Sequence, residues 1–438
     1  MSGRTGQRPE DRDRPDRVAM VSQWFPPEPT TIPLGITRSL RQQGFAVDVL
    51  TGVPNYPTGK VHQGYSARRR TVESRDGLRV VRSPLYPSHD QSTIGRAANY
   101  LSWAASSALL GAPVLRTADV ALVYASPATA ATAAMVARLR WRTPYVLMVM
   151  DLWPDSVFAT GFLTEGLTRR LTEAILGRFT DWTYRWADHV TVPSPGLRET
   201  VIARGVPAEK VSVVYNWADE KLMQPTEPDP EFRPHLGLTA DDFVVMYGGN
   251  HGAAQDLDVA VKAMAELRDL PDVHLVLIGD GVRKPALRSM AHDLRLRSVH
   301  FLDQLELERM PAVMAATDIQ LVTLTDEALF RITMPSKVQA ILACGLPVLC
   351  CAPGDAARVV RDAGAGFTSP PGDPLRLAQA IRLAHGTPRH RLRALGRAGH
   401  DYYRTTMSEA INAQVLADLV TAAARRGTTR TRRKREGR

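Results

Sequence analysis

Short apolar runs recur along the chain, and the stretches between them carry apolar residues at helical spacing. Runs at 18–22 and 45–50 flank a helical pattern with Ile36, Leu40 and Arg41. A strand–helix–strand unit implies parallel pairing and a right-handed crossover. The alternation continues with strands at 78–82, 120–124, 145–150, 189–192 and 211–214, and helices at 93–115, 129–140 and 195–204. Residues 224–234 hold four prolines, so a linker is placed at 219–240. Beyond it, strands at 243–247, 273–278, 299–302, 319–323, 346–350 and 364–368 alternate with further helices, and helices from 374 to 424 close the pattern. The pattern predicts an α/β protein of two Rossmann-like, doubly wound parallel-sheet domains, residues 17–218 and 241–401. An active site is expected in a cleft between the two.

Composition adds bounds. The 438 residues are 44% hydrophobic and 23% charged, an ordinary globular balance. Residues 1–16 are polar and read as disordered, without the apolar core of a secretory leader. Leu101–Leu115 is the longest apolar run, but Ser102, Ser106, Ser107, Gly111 and Pro113 interrupt it, so it is no confident membrane span. Cys344, Cys350 and Cys351 have neither metal-ligand nor disulfide spacing, which fits a reducing cytoplasm. The net charge of +10 is concentrated in residues 425–438, where eight basic residues stand against Glu436. That segment reads as a disordered basic tail, either simply solvated or touching an anionic surface.

Candidate chemistry gathers at strand ends. Pro335-Ser336-Lys337 opens a helix with Val338, Ile341 and Leu342 on one face, and Gly345 ends it. A helix start offers free N–H groups and a positive dipole end, to which Lys337 adds a full charge, so a phosphate site is indicated. An ordinary helix start with a solvated lysine is the alternative. Two glycine turns, Gly248-Gly249-Asn250 and Gly279-Asp280-Gly281, each follow an apolar strand on the edge where Lys337 should lie. Glycine lets backbone approach a diphosphate closely, with Asn250, His251 and Gln255 as added donors. Turn punctuation is the plainer account of each turn alone. Asp151 and Asp155 follow the strand at 145–150, where open parallel sheets bind ligands. Asp151 could equally be a helix cap.

Taken with Val21–Glu28, Thr51–Gly59, Pro84–His89 and Asp151-Leu152-Trp153-Pro154-Asp155, these motifs resemble the family 4 glycosyltransferases. The likeness is to the bacterial branch for colanic acid, O-antigen and other surface polysaccharides, over about residues 17–410. The resemblance implies a GT-B fold in which a last helix, about 402–424, crosses back to the first domain. It also implies a nucleotide-sugar donor bound by the second domain, UDP-sugar first and GDP-sugar next. Transfer would retain anomeric configuration without a metal or other cofactor. Carried over by position, Lys337 holds the donor diphosphate, with Pro335 and Ser336 opening its helix. Phe330, Arg331 and Met334 cover the donor sugar, Asp355 meets a sugar hydroxyl, and Asp151 and Glu28 face the acceptor. The acceptor would be a lipid-linked glycan, reached from the cytoplasmic membrane face through the 100–115 helix, Arg68–Arg70 and the basic tail.

The chain departs from the wider family at several positions. Asn250 and Gln255 stand where many members have Arg and Lys, Ala340 and the region of Ile332 lack a pair of glutamates, and Met150 replaces a histidine. Gln339 could substitute for the ribose-binding glutamate at Ala340. A non-catalytic binding protein and a sugar-nucleotide epimerase share the fold and remain alternatives. A nucleic-acid binder does not fit, because no stacking aromatics interleave with the basic residues.

Overall fold

The computed structural model describes residues 17–88, 93–159 and 167–436. They divide into two compact units. The first comprises residues up to Pro193, Leu197–Val214 and the stretch from Ala413 onward; the second comprises Ser194–Gly196 and Tyr215–Asn412.

The first unit is built on an eight-stranded sheet. Its strands are β1 (Arg17–Ser22), β2 (Ala46–Gly52), β3 (Thr71–Arg75), β4 (Leu78–Ser83), β5 (Val120–Ala125), β6 (Tyr145–Val149), β7 (His189–Val192) and β8 (Val211–Val213). The order across the sheet is β3-β4-β2-β1-β5-β6-β7-β8. Crossovers are α1 (Ile32–Gln42), α2 (Thr93–Leu110), α3 (Ala112–Thr117), α4 (Ala131–Trp141), α5 (Asp155–Ala159), α6 (Leu167–Trp186) and α7 (Pro195–Ala203). The central strands are parallel and buried on both faces, which is why they read as unbroken Val, Leu and Ala runs.

The second unit carries β9 (Phe243–Gly248), β10 (Val273–Ile278), β11 (Val299–Leu302), β12 (Ile319–Thr323), β13 (Val348–Cys351) and β14 (Gly366–Thr368). They pair in the order β11-β10-β9-β12-β13-β14, all parallel. Its helices are α8 (Phe232–His235), α9 (Leu257–Ala265), α10 (Lys284–Asp293), α11 (Met310–Ala315), α12 (Ala328–Arg331), α13 (Ser336–Ala343), α14 (Gly354–Asp362), α15 (Pro374–His385) and α16 (Arg389–Tyr402). Leu257, Val261 and Met264 of α9 and Leu377 and Ile381 of α15 bury their apolar faces against Val245, Leu275, Leu277 and Leu321 of the sheet. The last helix, α17 (Glu409–Glu436), belongs to the first unit from Ala413 onward.

Two parallel-sheet α/β units are the architecture expected from the sequence, with five local differences. A hairpin adds β3 antiparallel at the sheet edge, turned at Asp76 and Gly77, both with positive φ. The single helix expected over 93–115 breaks at Gly111, where a Cβ would meet the Ser107 carbonyl oxygen at 2.3 Å and Leu50 Cδ2 at 2.4 Å. The 20-residue α6 has no counterpart in the sequence reading. The proline-rich linker is packed structure: Arg233 binds Asp318 at 2.7 Å and donates to the carbonyls of Ala316 and Asp242. The basic segment expected to be a disordered tail from 425 continues α17 as helix to Glu436. Arg and Lys are good helix formers, and cations suit a helix C-terminus. Residues 1–16, also expected to be disordered, lie outside the described residues.

His189 opens β7 with its Nε2 2.9 Å from Ser212 Oγ. Burial, then the nearby Arg426 and Lys210 charges, pulls its pKa down to about 4. The unfolded chain therefore takes up a proton near pH 6.5 that the folded chain refuses until about pH 4. Stability from this group is complete above pH 6.5 and falls as pH drops through that window. Between pH 7 and 5 we expect a loss of about 1 kcal/mol, allowing for the ring's partial exposure. His189→Gln should flatten that part of the pH profile in chemical denaturation; an unchanged profile would show that His189 is not its source.

Candidate functional site

The second unit brings two strand-end turns and one helix start together. β9 and β10 run in register, with Gly248 opposite Ile278, so their glycine turns lie side by side. Gly249 N–H donates to the Ile278 carbonyl at 2.8 Å, and His251 N–H to the Asp280 carbonyl at 2.7 Å. Gly279 has φ +133°, and a Cβ there would stand 2.0 Å from the Gly249 carbonyl oxygen. Gly249 has φ +135°, and its Cβ would stand 2.7 Å from Lys337 Cε and 2.8 Å from Nζ. Only glycine at both positions allows this approach.

Lys337 lies in the first turn of α13, whose N-cap, Pro335, has extended backbone and supplies no side-chain cap. Buried Val338, Ile341 and Leu342 anchor the helix, while Ser336 is exposed. The Lys337 ammonium sits 4.8 Å from the centroid of the Tyr247 ring. Tyr247 in turn donates its hydroxyl to the Asn250 carbonyl at 2.8 Å. Burial lowers the Lys337 pKa. No carboxylate among the described residues pairs with it. An ammonium beside an open helix N-terminus, with no counter-ion, is an electrostatic demand for an anion.

The turn itself is braced. Gln255 Oε1 accepts from Gly252 N–H at 3.1 Å and from Asn250 Nδ2 at 3.2 Å. Asp280 Oδ1 accepts from Gly281 N–H at 2.8 Å. The His251 ring is buried beneath the turn, and burial, then the Lys284 charge, lowers its pKa. Lys284, absent from the sequence reading, is buried with Nζ bound to the carbonyls of Gly279 (2.8 Å) and Leu302 (3.0 Å) and to Asp303 (2.7 Å). It ties the ends of β10 and β11 together under the glycine turn. A cation at the first residue of a helix opposes the dipole; that misfit was the available signal.

The other donor-side residues make contacts within the second unit. Arg331 forms a forked pair with Asp326, at 2.9 and 3.0 Å. Met334 is buried and Phe330 half-buried in the α12–α13 connection. Asp355 was expected to meet a sugar hydroxyl. Its carboxylate is buried instead: Oδ2 accepts from Gly196 N–H at 2.6 Å, and Oδ1 is paired with Arg358. Both oxygens serve the protein's own backbone and side chains.

In the first unit, Glu28 was expected to face an acceptor. It is 3% exposed and accepts from three backbone N–H groups, Phe25 at 3.1 Å and Asn55 and Tyr56 at 2.9 Å each. Burial raises its pKa, against the lowering effect of those bonds. Glu28 therefore positions the loops after β1 and β2. Arg82, which the sequence reading passed over within β4, is fully buried and binds the carbonyls of Gly52 and Pro26 and the Glu73 carboxylate. These loops enclose a pocket of about 350 Å³ lined by Trp24, Tyr56, Tyr124, Thr30, Ile32 and Ser126, among others. Trp24 packs on Tyr56 with centroids 5.5 Å apart. Asp151 stands behind the Ser126 wall, its Oδ2 accepting from Ser126 Oγ at 2.6 Å. Burial raises its pKa and the Ser126 bond opposes the shift. A carboxyl held nearer neutrality beside an aromatic pocket can exchange a proton with a hydroxylic ligand.

Comparison with known proteins follows this geometry. A family profile described as a glycosyl transferase 4-like domain matches residues 6–217, and one described as glycosyl transferases group 1 matches residues 242–385. The chain is 28% identical over 310 residues to WcaI of Escherichia coli (strain K12), whose name assigns it to glycosyl transfer in colanic acid biosynthesis; the match covers 70% of this chain and 75% of that one. It is 24% identical over 268 residues to WbjE of Pseudomonas aeruginosa, named as a glycosyltransferase, covering 61% and 66%. Among solved structures, Anabaena HepE in complex with UDP and glucose superposes with a TM-score of 0.63 at 18% identity, over 92% of this chain and 99% of that one.

Because a Cβ at residue 279 collides with the Gly249 carbonyl, Gly279→Ala should destabilise the second unit by about 1–3 kcal/mol through overpacking. Denaturant titration against wild type measures this; a cost near zero would mean that the two turns can separate freely.

Proposed function

Given that the chain belongs to the family 4 glycosyltransferases of GT-B fold, we propose that it moves a sugar from a nucleoside-diphosphate donor to a glycan acceptor in polysaccharide biosynthesis. The observation that carries this reading is the Lys337 ammonium, without a carboxylate partner, at the uncapped start of α13 over the Gly249 turn. A diphosphate supplies the missing negative charge. As the glycosidic bond to the donor breaks, that charge grows on the leaving diphosphate, and Lys337 and the helix N–H groups stabilise it. One such preorganised donor is worth about 10²–10³ in kcat. Family membership supports retention of anomeric configuration and a UDP-sugar as first choice, with a GDP-sugar second. No step in this reading routes charge through a metal, so EDTA should leave turnover unchanged.

The first unit's pocket is the proposed acceptor site. Its Trp24 and Tyr56 faces suit a sugar ring, and Asp151 behind Ser126 can take the acceptor hydroxyl proton as the new bond forms. A lipid-linked glycan is the acceptor class we favour.

Thermal-shift titration with UDP, GDP, dTDP, ADP and CMP tests the donor assignment. A nucleotide at about 100 times its Kd stabilises by about 2.7 kcal/mol, and Lys337→Ala should abolish that gain for the diphosphate that binds. Equal shifts for mutant and wild type would remove Lys337 from the site. Release of free nucleotide without any acceptor would favour an epimerase over a transferase.

A further inference from the structure

The first unit's pocket of about 350 Å³ is small among ligand sites, which run from roughly 300 to 1,000 Å³. That volume suits one terminal sugar unit of a glycan. The aromatic wall is braced: Trp24 meets the Tyr100 ring edge-on at 6.2 Å, and Tyr100 packs on Trp153 at 6.1 Å. Ile32 and Pro33 add apolar surface. A sugar ring has an apolar C–H face for such a wall and hydroxyl groups around its edge.

Apart from the Trp24 indole, the polar side chains in the lining are all hydroxyls, on Thr30, Thr31, Tyr56, Tyr124 and Ser126. Tyr124 lies near the end of β5, two residues before Ser126, and both side chains reach the pocket. The Tyr124 hydroxyl makes no hydrogen bond with any described residue, and Thr30 Oγ1 has no partner among them either. Burial, then the nearby Asp151 charge, raises the Tyr124 pKa, so the phenol stays protonated and can donate.

Among the described residues no charged side chain lines the pocket, and the charge beside it is negative. Asp151 lies behind Ser126 and acts electrostatically on both Tyr124 and Tyr100. Neither of two nearby cations belongs to the lining. Arg82 is fully buried and bound to Glu73 and to backbone carbonyls. Arg96, whose charge is felt at Tyr100, is no part of the wall. A carboxylate or phosphate on an incoming sugar would therefore enter without a counter-ion and against Asp151.

We propose that this pocket selects an uncharged sugar unit, with Trp24 against its apolar face and the Tyr124 hydroxyl donating to one of its oxygens, and rejects acidic sugars through Asp151 and the lack of a lining cation. The proposal rests on the acceptor reading of this pocket and narrows it: the glycan end that receives the next sugar is a neutral one. Tyr124 is thereby a specificity-determining residue, one that no motif in the sequence singled out.

Saturation-transfer NMR titration of the full chain is the test, with methyl glucoside, methyl galactoside and methyl N-acetylglucosaminide against methyl glucuronide and methyl galacturonide. At least one neutral glycoside should bind, and the uronides about tenfold or more weakly than it. Tyr124→Phe should weaken the neutral ligand roughly three- to tenfold, through loss of one hydrogen bond. Asp151→Asn, and independently Thr31→Lys at the exposed rim, should narrow the gap between neutral and acidic ligands. Uronides binding as tightly as the neutral glycosides, a gap unchanged in both charge variants, or Tyr124→Phe binding like wild type would overturn the proposal. So would the lack of any glycoside binding in a chain that a nucleoside diphosphate still stabilises, an outcome that leaves the donor assignment standing. Glycoside binding with the expected charge preference but without any nucleotide-induced shift would support the pocket and count against the transferase reading alone.

Discussion

An ammonium placed against the positive end of a helix dipole, with no carboxylate among the described residues to pair with it, is the constraint on which the second unit's strand-end turns bear. Left alone, Lys337 and the α13 N-terminus repel each other, and burial lowers the lysine pKa in the same direction. Two compensations are present. The Tyr247 face offers its quadrupole to the ammonium, and its hydroxyl fixes the Asn250 carbonyl. Neither carries a full negative charge. Gly249 keeps the space beside Nζ clear, Gly279 lets the two turns meet, and Lys284 and Gln255 hold those turns. Among the described residues, these groups surround the ammonium without giving it a carboxylate partner.

The first unit shows the opposite use of charge. Glu28, Arg82 and Glu73 are saturated by backbone groups and by one another, and a side-chain network from Gln23 through Asn99 to Asn55 extends the same fabric. Buried polar groups linked in this way tie together the loops they join, although Gln23 Oε1 is left without a hydrogen-bond partner. Rigid loops at the ends of β1 and β2 are what give the aromatic pocket its walls. Asp355 does comparable work in the second unit, at the Gly196 backbone. Three carboxylates in sequence motifs thus divide by their partners: Glu28 accepts from three backbone N–H groups and Asp355 from the Gly196 N–H, whereas Asp151 accepts from the Ser126 hydroxyl beside the pocket.

The two-sheet architecture was legible because buried parallel strands leave short unbroken apolar runs, which recur here between helical patterns. The glycine turns and Lys337 were legible for a related reason: strand ends fall on one edge, so position along the chain becomes position in space. What escaped the sequence was of two kinds. α6 carries polar and apolar residues with no clean stripe toward the core, so its periodicity pointed nowhere. The Asn55 N–H that Glu28 accepts and the Gly196 N–H that Asp355 accepts are 27 and 159 residues distant, the carbonyls that Arg82 takes up are 30 and 56 residues distant, and no residue identity announces a backbone partner. A carboxylate quoted from a motif looks the same whether it meets a ligand or a loop.

The chain path through α17 has a consequence for synthesis on the ribosome. The first unit is complete in its sheet by Val213, yet Leu416, Ala417, Val420, Ala423 and Ala424, buried in that same unit, are made some two hundred residues later. The nascent first unit must therefore wait, with the surface that α17 covers open to solvent, until the whole second unit has been translated. Exposed apolar surface in a waiting intermediate is a target for chaperones and a risk for aggregation. Native closure of the amino-terminal half is a late event, set by when α17 leaves the exit tunnel.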